Sequence, residues 1–174
     1  MEQFSRRALG VGALYGLLSI LFCLPLFARP LGLAAADWDR HLFYYGEVLK
    51  NVVEYGQAPF WSPWYCGGNV MWQHPQVPLL SPVYLLVAIM PLALAIKLNI
   101  VLHYWIGFLG MHWLLTRVAR LTFLPLVVYA ASVFTLAGSL ALHLAVGHSD
   151  FLPAFYLPWL LYFLSFKWKL LMRS

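Results

Sequence analysis

Apolar and polar positions follow one another in long blocks along the chain, and the blocks predict membrane-spanning helices. Residues 8–28 are almost entirely apolar, and ~20 such residues are enough for a helix to cross a bilayer. Similar blocks follow at residues 97–117, 121–145 and 151–168. We therefore predict an all-α integral membrane protein with about four transmembrane helices.

Residues 29–96 interrupt these blocks and predict an external loop that carries an interfacial helix. Within residues 37–55, apolar side chains recur at spacings of four and three, on one face of a helix. These side chains are Trp38, Leu42, Tyr45, Leu49 and Val52. Gly56 marks the end of the helix, and the prolines and glycines beyond it predict a turn-rich path. An amphipathic helix with an aromatic face is typical of the membrane interface.

Residues 79–95 allow two interpretations, and the choice sets the orientation of the chain. As a full span, they would place Arg117 and Arg120 outside the cytoplasm. As a short juxtamembrane or re-entrant piece, broken at Pro82 and Pro91, they leave the basic clusters at the helix ends in the cytoplasm. Lys and Arg are enriched in cytoplasmic loops. The short piece is therefore favoured, with both termini cytoplasmic.

Composition supports a membrane protein and argues against other classes. The chain is 63% hydrophobic with a mean hydropathy of +0.76, whereas soluble proteins are roughly half apolar. We predict a single polytopic domain over residues 1–174. The net charge is +5, but the basic residues flank apolar blocks, so no nucleic-acid partner is expected. Cys23 lies in an apolar block and Cys66 in the polar region, so no disulfide between them is predicted.

Acidic residues are concentrated in the external loop. Four of the six lie there, namely Asp37, Asp39, Glu47 and Glu54. Ionised groups are costly in hydrocarbon, so this loop marks the water-facing, working side of the protein. A structural interpretation is also available, because Asp37 is placed to cap the interfacial helix and Asp39 to complement its dipole. Asp150 is likewise placed to cap the fourth span.

Histidines within the apolar blocks suggest an alternative function, the binding of haem. His103 and His143 lie at similar depth in the four-span arrangement, and two such rings are the ligands of a haem in a small membrane cytochrome. His112 lies near the cytoplasmic end, where no second histidine reaches the same depth. Hydrogen bonds between helices are therefore the preferred interpretation, and haem is not expected.

Several short motifs occur in an informative order after the first span. They are Asp37-Trp38-Asp39, the YGQAPFWSP stretch at 55–63, Cys66-Gly67-Gly68-Asn69, His74-Pro75-Gln76, Ser81-Pro82, the GFLGM stretch at 107–111, Gly147-His148 and Leu157-Pro158-Trp159. This order resembles the N-terminal half of the GT-C superfamily of membrane glycosyltransferases, and most closely its bacterial YfhO-like branch.

The resemblance implies transfer of a sugar from a polyprenyl-phosphate donor to an acceptor outside the cytoplasm, at a bacterial inner membrane. It assigns Asp37 or Asp39 as the catalytic base, which takes the proton of the attacking hydroxyl, or as a ligand of a divalent metal ion. It also implies that polar residues around the donor phosphate include Arg40, His41, His74, His148 and Asp150. For His74, a hydrogen bond within a turn is an equal alternative. Lipid-linked sugar and membrane lipid are the expected partners.

The chain is short for this superfamily and would supply about the first four spans of its catalytic module. The expected activity then depends on further C-terminal spans or on other membrane subunits. The alternative is a non-catalytic subunit or scaffold that packs against a larger membrane complex. An enzyme should bring Asp37 or Asp39 into a polar cavity near His148, whereas a scaffold should present small-residue and aromatic faces to other chains.

Overall fold

The computed structural model describes residues 2–29, 32–33, 37–65, 67–72 and 74–171. This part of the chain is mostly helical. Its helices are α1 (Glu2–Cys23), α2 (Trp38–Leu49), α3 (Val83–Val87), α4 (Leu92–Trp113), α5 (Leu124–Thr135), α6 (Gly138–Ala145) and α7 (Leu157–Leu171). The prediction about Cys66 lies outside the described residues.

Shorter elements lie between these helices in the described part of the chain. Two 3₁₀ segments cover Leu24–Ala28 and Ser149–Tyr156, and two π-helical turns extend α2 and α4 over Lys50–Glu54 and Leu114–Val118. Strand β1 (Trp61–Ser62) pairs antiparallel with β2 (Asn69–Val70), with Ser62 opposite Asn69. The helix predicted over residues 37–55 is therefore present, as α2 with its π-helical turn, and the loop after it is irregular.

Among the described residues, three helical stretches are long and apolar enough to cross a membrane: Ala8–Ala28, Leu92–Val118 and Leu124–Ala145. They correspond to the first three predicted spans, so the chain is compatible with a membrane protein. The second begins five residues before the predicted residue 97. The reason is that Lys97 is buried and donates a hydrogen bond to the carbonyl oxygen of Arg29, so its charge does not end the helix.

The fourth predicted span, residues 151–168, is divided between two elements. Its first part belongs to the 3₁₀ segment Ser149–Tyr156, which contains Pro153, and α7 begins only at Leu157, with Pro158 in its first turn. Proline lacks the N–H that a continuous α-helix would need. The count of four spans therefore stays a prediction.

Residues 79–95 form no continuous helix. The five-residue α3 is followed by turns up to Pro91, and α4 starts at Leu92. A helix of five residues rises only ~7.5 Å, far less than the ~30 Å of a hydrocarbon core. Residues 79–91 thus contain no helix long enough to cross a membrane, and residues 92–95 belong to α4 rather than to the loop.

The chain divides into two compact units, each with its own core. The first contains the described parts of Met1–Pro25, Ile100–Ala141 and Leu152–Ser174. In its core, the rings of Tyr15 and Phe108 stack at 5.0 Å. Gly107 permits close packing in this unit, because a Cβ there would lie 2.5 Å from the Phe155 ring.

The second unit contains Leu26–Asn99 and Leu142–Phe151. Its apolar core consists of Tyr44, Val48, Met71 and Val77. These side chains join one face of α2 to the turn-rich segment after it. The candidate site described next lies entirely within this unit.

Candidate functional site

The site begins at the turn that ends α6. Gly147 has a positive φ of 107°, its N–H bonds to Leu144 O at 3.2 Å, and His148 N–H bonds to His143 O at 2.9 Å. This pair of bonds defines a Schellman motif, which brings together the side chains five residues apart. Accordingly, the Nδ1 atoms of His143 and His148 lie 3.1 Å apart.

The start of α2 docks against this turn through its backbone. Asp37 N–H donates to Val146 O at 2.9 Å, and the indole Nε1 of Trp38 donates to Leu144 O at 3.1 Å. A Cβ on Gly147 would lie 2.6 Å from the backbone nitrogen of Trp38. Only glycine therefore permits both the turn and this close approach.

The Asp37 carboxylate meets His148 at this junction. Asp37 Oδ2 lies 3.1 Å from His148 Nε2 and 3.6 Å from Arg40 Nη2. A carboxylate only accepts hydrogen bonds, so Nε2 of His148 carries the proton. A neutral His148 then accepts at Nδ1 from the N–H of His143. Asp37, His148 and His143 are thus linked by two successive hydrogen bonds. Solvent reaches 46% of the Asp37 side chain and 30% of the His148 side chain.

The two predicted caps differ in outcome: Asp37 stands at the N-cap position of α2, whereas Asp150 does not stand at the start of α7. Asp37 occupies the N-cap position of α2, but its side chain makes no capping hydrogen bond, because the carboxylate is engaged by His148 and Arg40. Asp150 is exposed in the first turn of the 3₁₀ segment Ser149–Tyr156. It lies seven residues before Leu157, where α7 begins, so it does not cap that helix.

His41 lies behind the exposed pair and is fully buried. Its Nδ1 is 3.3 Å from the hydroxyl of Ser149, which also accepts from the Tyr45 hydroxyl at 3.4 Å. Burial lowers the pKa of His41, and the nearby Arg40 adds to this effect, while the Asp150 carboxylate opposes it. His41 is therefore neutral at neutral pH. Its Nε2 is buried without a hydrogen-bond partner among the described residues.

Two predicted site residues lie apart from this cluster. Asp39 is in the first turn of α2 and is exposed to solvent. His74 packs against the Tyr44 ring at 5.0 Å and accepts a hydrogen bond from Gln76 N–H at 3.2 Å, which is the turn interpretation. The structure thus brings together Asp37, Arg40, His41 and His148, with Asp150 close enough to influence His41.

The two histidines of α4 each lie within hydrogen-bond distance of a tyrosine hydroxyl. His103 lies 3.1 Å from the Tyr156 hydroxyl, and His112 lies 2.9 Å from the Tyr15 hydroxyl. Polar contacts of this kind are the ones expected within a membrane domain. Over the part of the chain that the structure describes, no group of three or more His, Cys, Asp or Glu side chains is arranged to hold a metal ion.

Sequence reasoning missed the roles of His143 and Glu47. The spacing His143-x₃-Gly147-His148 is the signal for the first, since a glycine after a helix predicts the Schellman contact. Glu47 is only 4% exposed and accepts a hydrogen bond from the Ser62 hydroxyl. Burial raises the pKa of Glu47, although the Ser62 bond opposes the rise. No local signal in α2 predicts this burial, because Ser62 comes from β1.

Comparisons with protein-family models, with curated proteins and with solved structures found no match for this chain. The functional assignment therefore depends on the motifs in the sequence and on the geometry around Asp37 and His148, where α2 meets the turn after α6.

Proposed function

We propose that the chain is a GT-C-like membrane glycosyltransferase module of the bacterial inner membrane. It transfers a sugar from a polyprenyl-phosphate donor to an acceptor outside the cytoplasm. In this proposal residues 151–168 complete a fourth span, both termini are cytoplasmic, and further membrane segments complete the enzyme. The observation that carries the proposal is the partly exposed Asp37 carboxylate, 3.1 Å from His148 Nε2.

The Asp37 carboxylate is not needed to hold the junction together. Two backbone-directed bonds, from Asp37 N–H and from the Trp38 indole, already join α2 to the end of α6. The carboxylate adds a charge-assisted contact at a solvent-accessible position. A carboxylate that solvent reaches can also be reached by an acceptor hydroxyl, and hydrogen-bond reach is the first requirement of a general base. This favours an active-site role over a purely structural one.

The chemistry is a substitution at the anomeric carbon. The acceptor hydroxyl passes its proton to the Asp37 carboxylate, its oxygen bonds to the anomeric carbon, and the bond from that carbon to the phosphate oxygen breaks. The leaving group is the polyprenyl phosphate, which keeps the electron pair of the broken bond. Arg40, 3.6 Å from Asp37, offsets phosphate charge, and His148 holds Asp37 in its orientation.

The test compares Asp37→Asn with Asp39→Asn, the same change two residues away on the exposed side of α2. Membranes containing the protein, expressed from its genomic reading frame, receive polyprenyl-phosphate glucose or mannose with tritium in the sugar. The readout is radiolabel that leaves the lipid phase. Because general bases contribute about 10²–10⁴-fold, Asp37→Asn should lose at least about a hundredfold in rate, and Asp39→Asn should stay near wild type.

Protein levels and resistance to trypsin show whether each variant is folded. Unchanged transfer by Asp37→Asn would remove the catalytic proposal. Loss of sugar transfer in Asp39→Asn alone would identify Asp39, rather than Asp37, as the base. Absence of transfer by wild type with both sugars would favour the non-catalytic subunit.

A further inference from the structure

The second unit also contains a cleft between α2, with its π-helical turn, and α3. None of the residues that line the cleft belongs to the site around Asp37 and His148. The volume of the cleft is about 560 Å³, within the range of roughly 300–1,000 Å³ typical of small-molecule sites. The cleft is lined by Gly46, Leu49, Lys50, Val53, Glu54, Tyr84, Val87 and Ala88. Most of these side chains are apolar, and the two charged ones are Lys50 and Glu54.

The surroundings of the cleft point to lipid. Leu85 and Ile89 are 78% and 79% exposed, and Val53 on the other wall is 75% exposed. Ile89 lies three residues before Leu92, where a stretch able to cross a membrane begins. Exposed apolar side chains that are continuous with a membrane span are expected to contact the bilayer. The cleft therefore opens where acyl chains are available.

The charges at the cleft favour one class of headgroup. Lys50 Nζ lies 3.7 Å from Glu54 Oε2, with both side chains partly exposed, and 4.8 Å from the centre of the Trp64 ring. Exposed ion pairs contribute little to stability, so both partners are available to a ligand with one positive and one negative group. A ligand with only a phosphate would meet repulsion from Glu54.

The ring of Tyr84 contributes to the wall of the same cleft. Its hydroxyl is buried, and the ring lies 6.2 Å from the ring of Tyr45. The surface that Tyr84 offers to a ligand is therefore apolar.

We propose that this cleft binds one acyl chain of a bilayer phosphatidylethanolamine. The phosphate pairs with Lys50 and the primary ammonium donates hydrogen bonds to Glu54, while the chain lies between α2 and α3. The proposal goes beyond glycosyl transfer and does not depend on it. It assigns a structural lipid to the external loop rather than the lipid-linked donor.

Gly46 provides a direct test. A Cβ on Gly46 meets no atom within 4 Å, so a larger side chain enters the cleft without a backbone clash. The delipidated full chain in detergent is titrated with palmitoyl-oleoyl phosphatidylethanolamine and followed by native mass spectrometry. We expect Gly46→Leu to weaken binding at least tenfold, while Gly46→Ala, which leaves the cleft open, binds like wild type.

Two further variants make the test independent of one substitution. Ala88, which directly follows α3, also lines the cleft. Ala88→Leu fills the cleft from this side and should weaken binding in the same way if Gly46→Leu fails to fold. Glu54→Gln removes the partner of the ammonium and should reduce binding to that of phosphatidylcholine. Circular dichroism of each variant verifies that it retains its helical structure.

Competing lipids decide the identity of the occupant. Phosphatidylglycerol, phosphatidylcholine and polyprenyl monophosphate are titrated in parallel, and wild type should bind each of them more weakly than phosphatidylethanolamine. Tighter binding of polyprenyl phosphate would contradict the proposed occupant. Equal binding of all four lipids, or undiminished binding in both filled variants, would overturn the site itself.

Discussion

At the scale of single residues, the proton on His148 connects the candidate site. Because the Asp37 carboxylate can only accept, His148 donates to it from Nε2, and the Nδ1 atoms of His148 and His143 share a second hydrogen bond, with both contacts at 3.1 Å. The resemblance pointed to Asp37 and His148 and predicted that an enzyme would bring Asp37 or Asp39 near His148, but it did not choose between the two carboxylates or predict the direct contact. It did not predict His143, whose position follows from the backbone turn at Gly147.

We predict that Asp37 and His148 act as one unit in transfer. Residues in direct contact show coupling energies of about 0.5–3 kcal/mol, so the Asp37→Asn and His148→Gln double variant should be little slower than the slower single variant. Rates of labelled-sugar transfer from the four proteins of this cycle measure the coupling. Rate losses that multiply in the double variant would indicate that the two side chains act independently.

Glu47 predicts a dependence of stability on pH. Burial raises its pKa above the ordinary value of 4.5, so the folded protein holds the proton more tightly than the unfolded chain. The resulting stabilisation is fully present below about pH 4.5 and is lost as the pH rises through the higher folded-state pKa. Glu47→Gln stays neutral and should become increasingly more stable than wild type between pH 4.5 and 8.

Apparent midpoints of thermal unfolding in detergent measure this difference at several pH values. Asp39→Asn removes an exposed carboxylate from the same helix and serves as the matched control, with no comparable trend. A constant gap between Glu47→Gln and wild type at every pH would show that Glu47 does not titrate as proposed.

At the scale of elements, α2 illustrates what an apolar pattern can and cannot predict. The spacing of apolar residues predicts the helix, but the aromatic face predicted to lie on the membrane interface is packed inside the protein, where Trp38 and Tyr45 are buried. However, Val52 is 51% exposed, whereas His41 and Glu47 are buried. Their polar partners, Ser149 and Ser62, come from distant parts of the chain. A local pattern cannot anticipate partners that only the tertiary structure supplies.

The turn after α6 is predicted to be intolerant of any side chain at Gly147. Its φ of 107° is unfavourable for alanine, and the added Cβ would lie 2.6 Å from Trp38 N. Strain of this kind costs about 1–3 kcal/mol, so Gly147→Ala should lower the unfolding midpoint and the transfer rate together. Thermal unfolding in detergent measures the first effect.

Gly138→Ala is the control for this prediction, because a Cβ at Gly138 at the start of α6 meets nothing within 4 Å. It should be neutral or slightly stabilising, since alanine favours helices. Similar unfolding of the two variants would mean that the turn does not need glycine.

At the scale of the whole molecule, hydropathy predicts membrane-spanning stretches better than it predicts their ends. The first three predicted spans match stretches that are long and apolar enough to cross a membrane. Among the described residues, the fourth is not one of these stretches, and Pro153 and Pro158 divide it between a 3₁₀ segment and α7. The apolar content of a block does not report the backbone hydrogen bonds that prolines remove.

The proposal as a whole requires the acidic loop and the Gly147–His148 turn to face the same side of the membrane, outside the cytoplasm. Single cysteines at three exposed positions test this in a chain with Cys23→Ala and Cys66→Ser: Asp39→Cys, Asp150→Cys and Ala119→Cys. A membrane-impermeant maleimide is applied to intact spheroplasts. We predict labelling at positions 39 and 150, and labelling at 119 only after permeabilisation. Labelling of 119 in intact spheroplasts, or of 39 and 150 from opposite sides, would contradict the account.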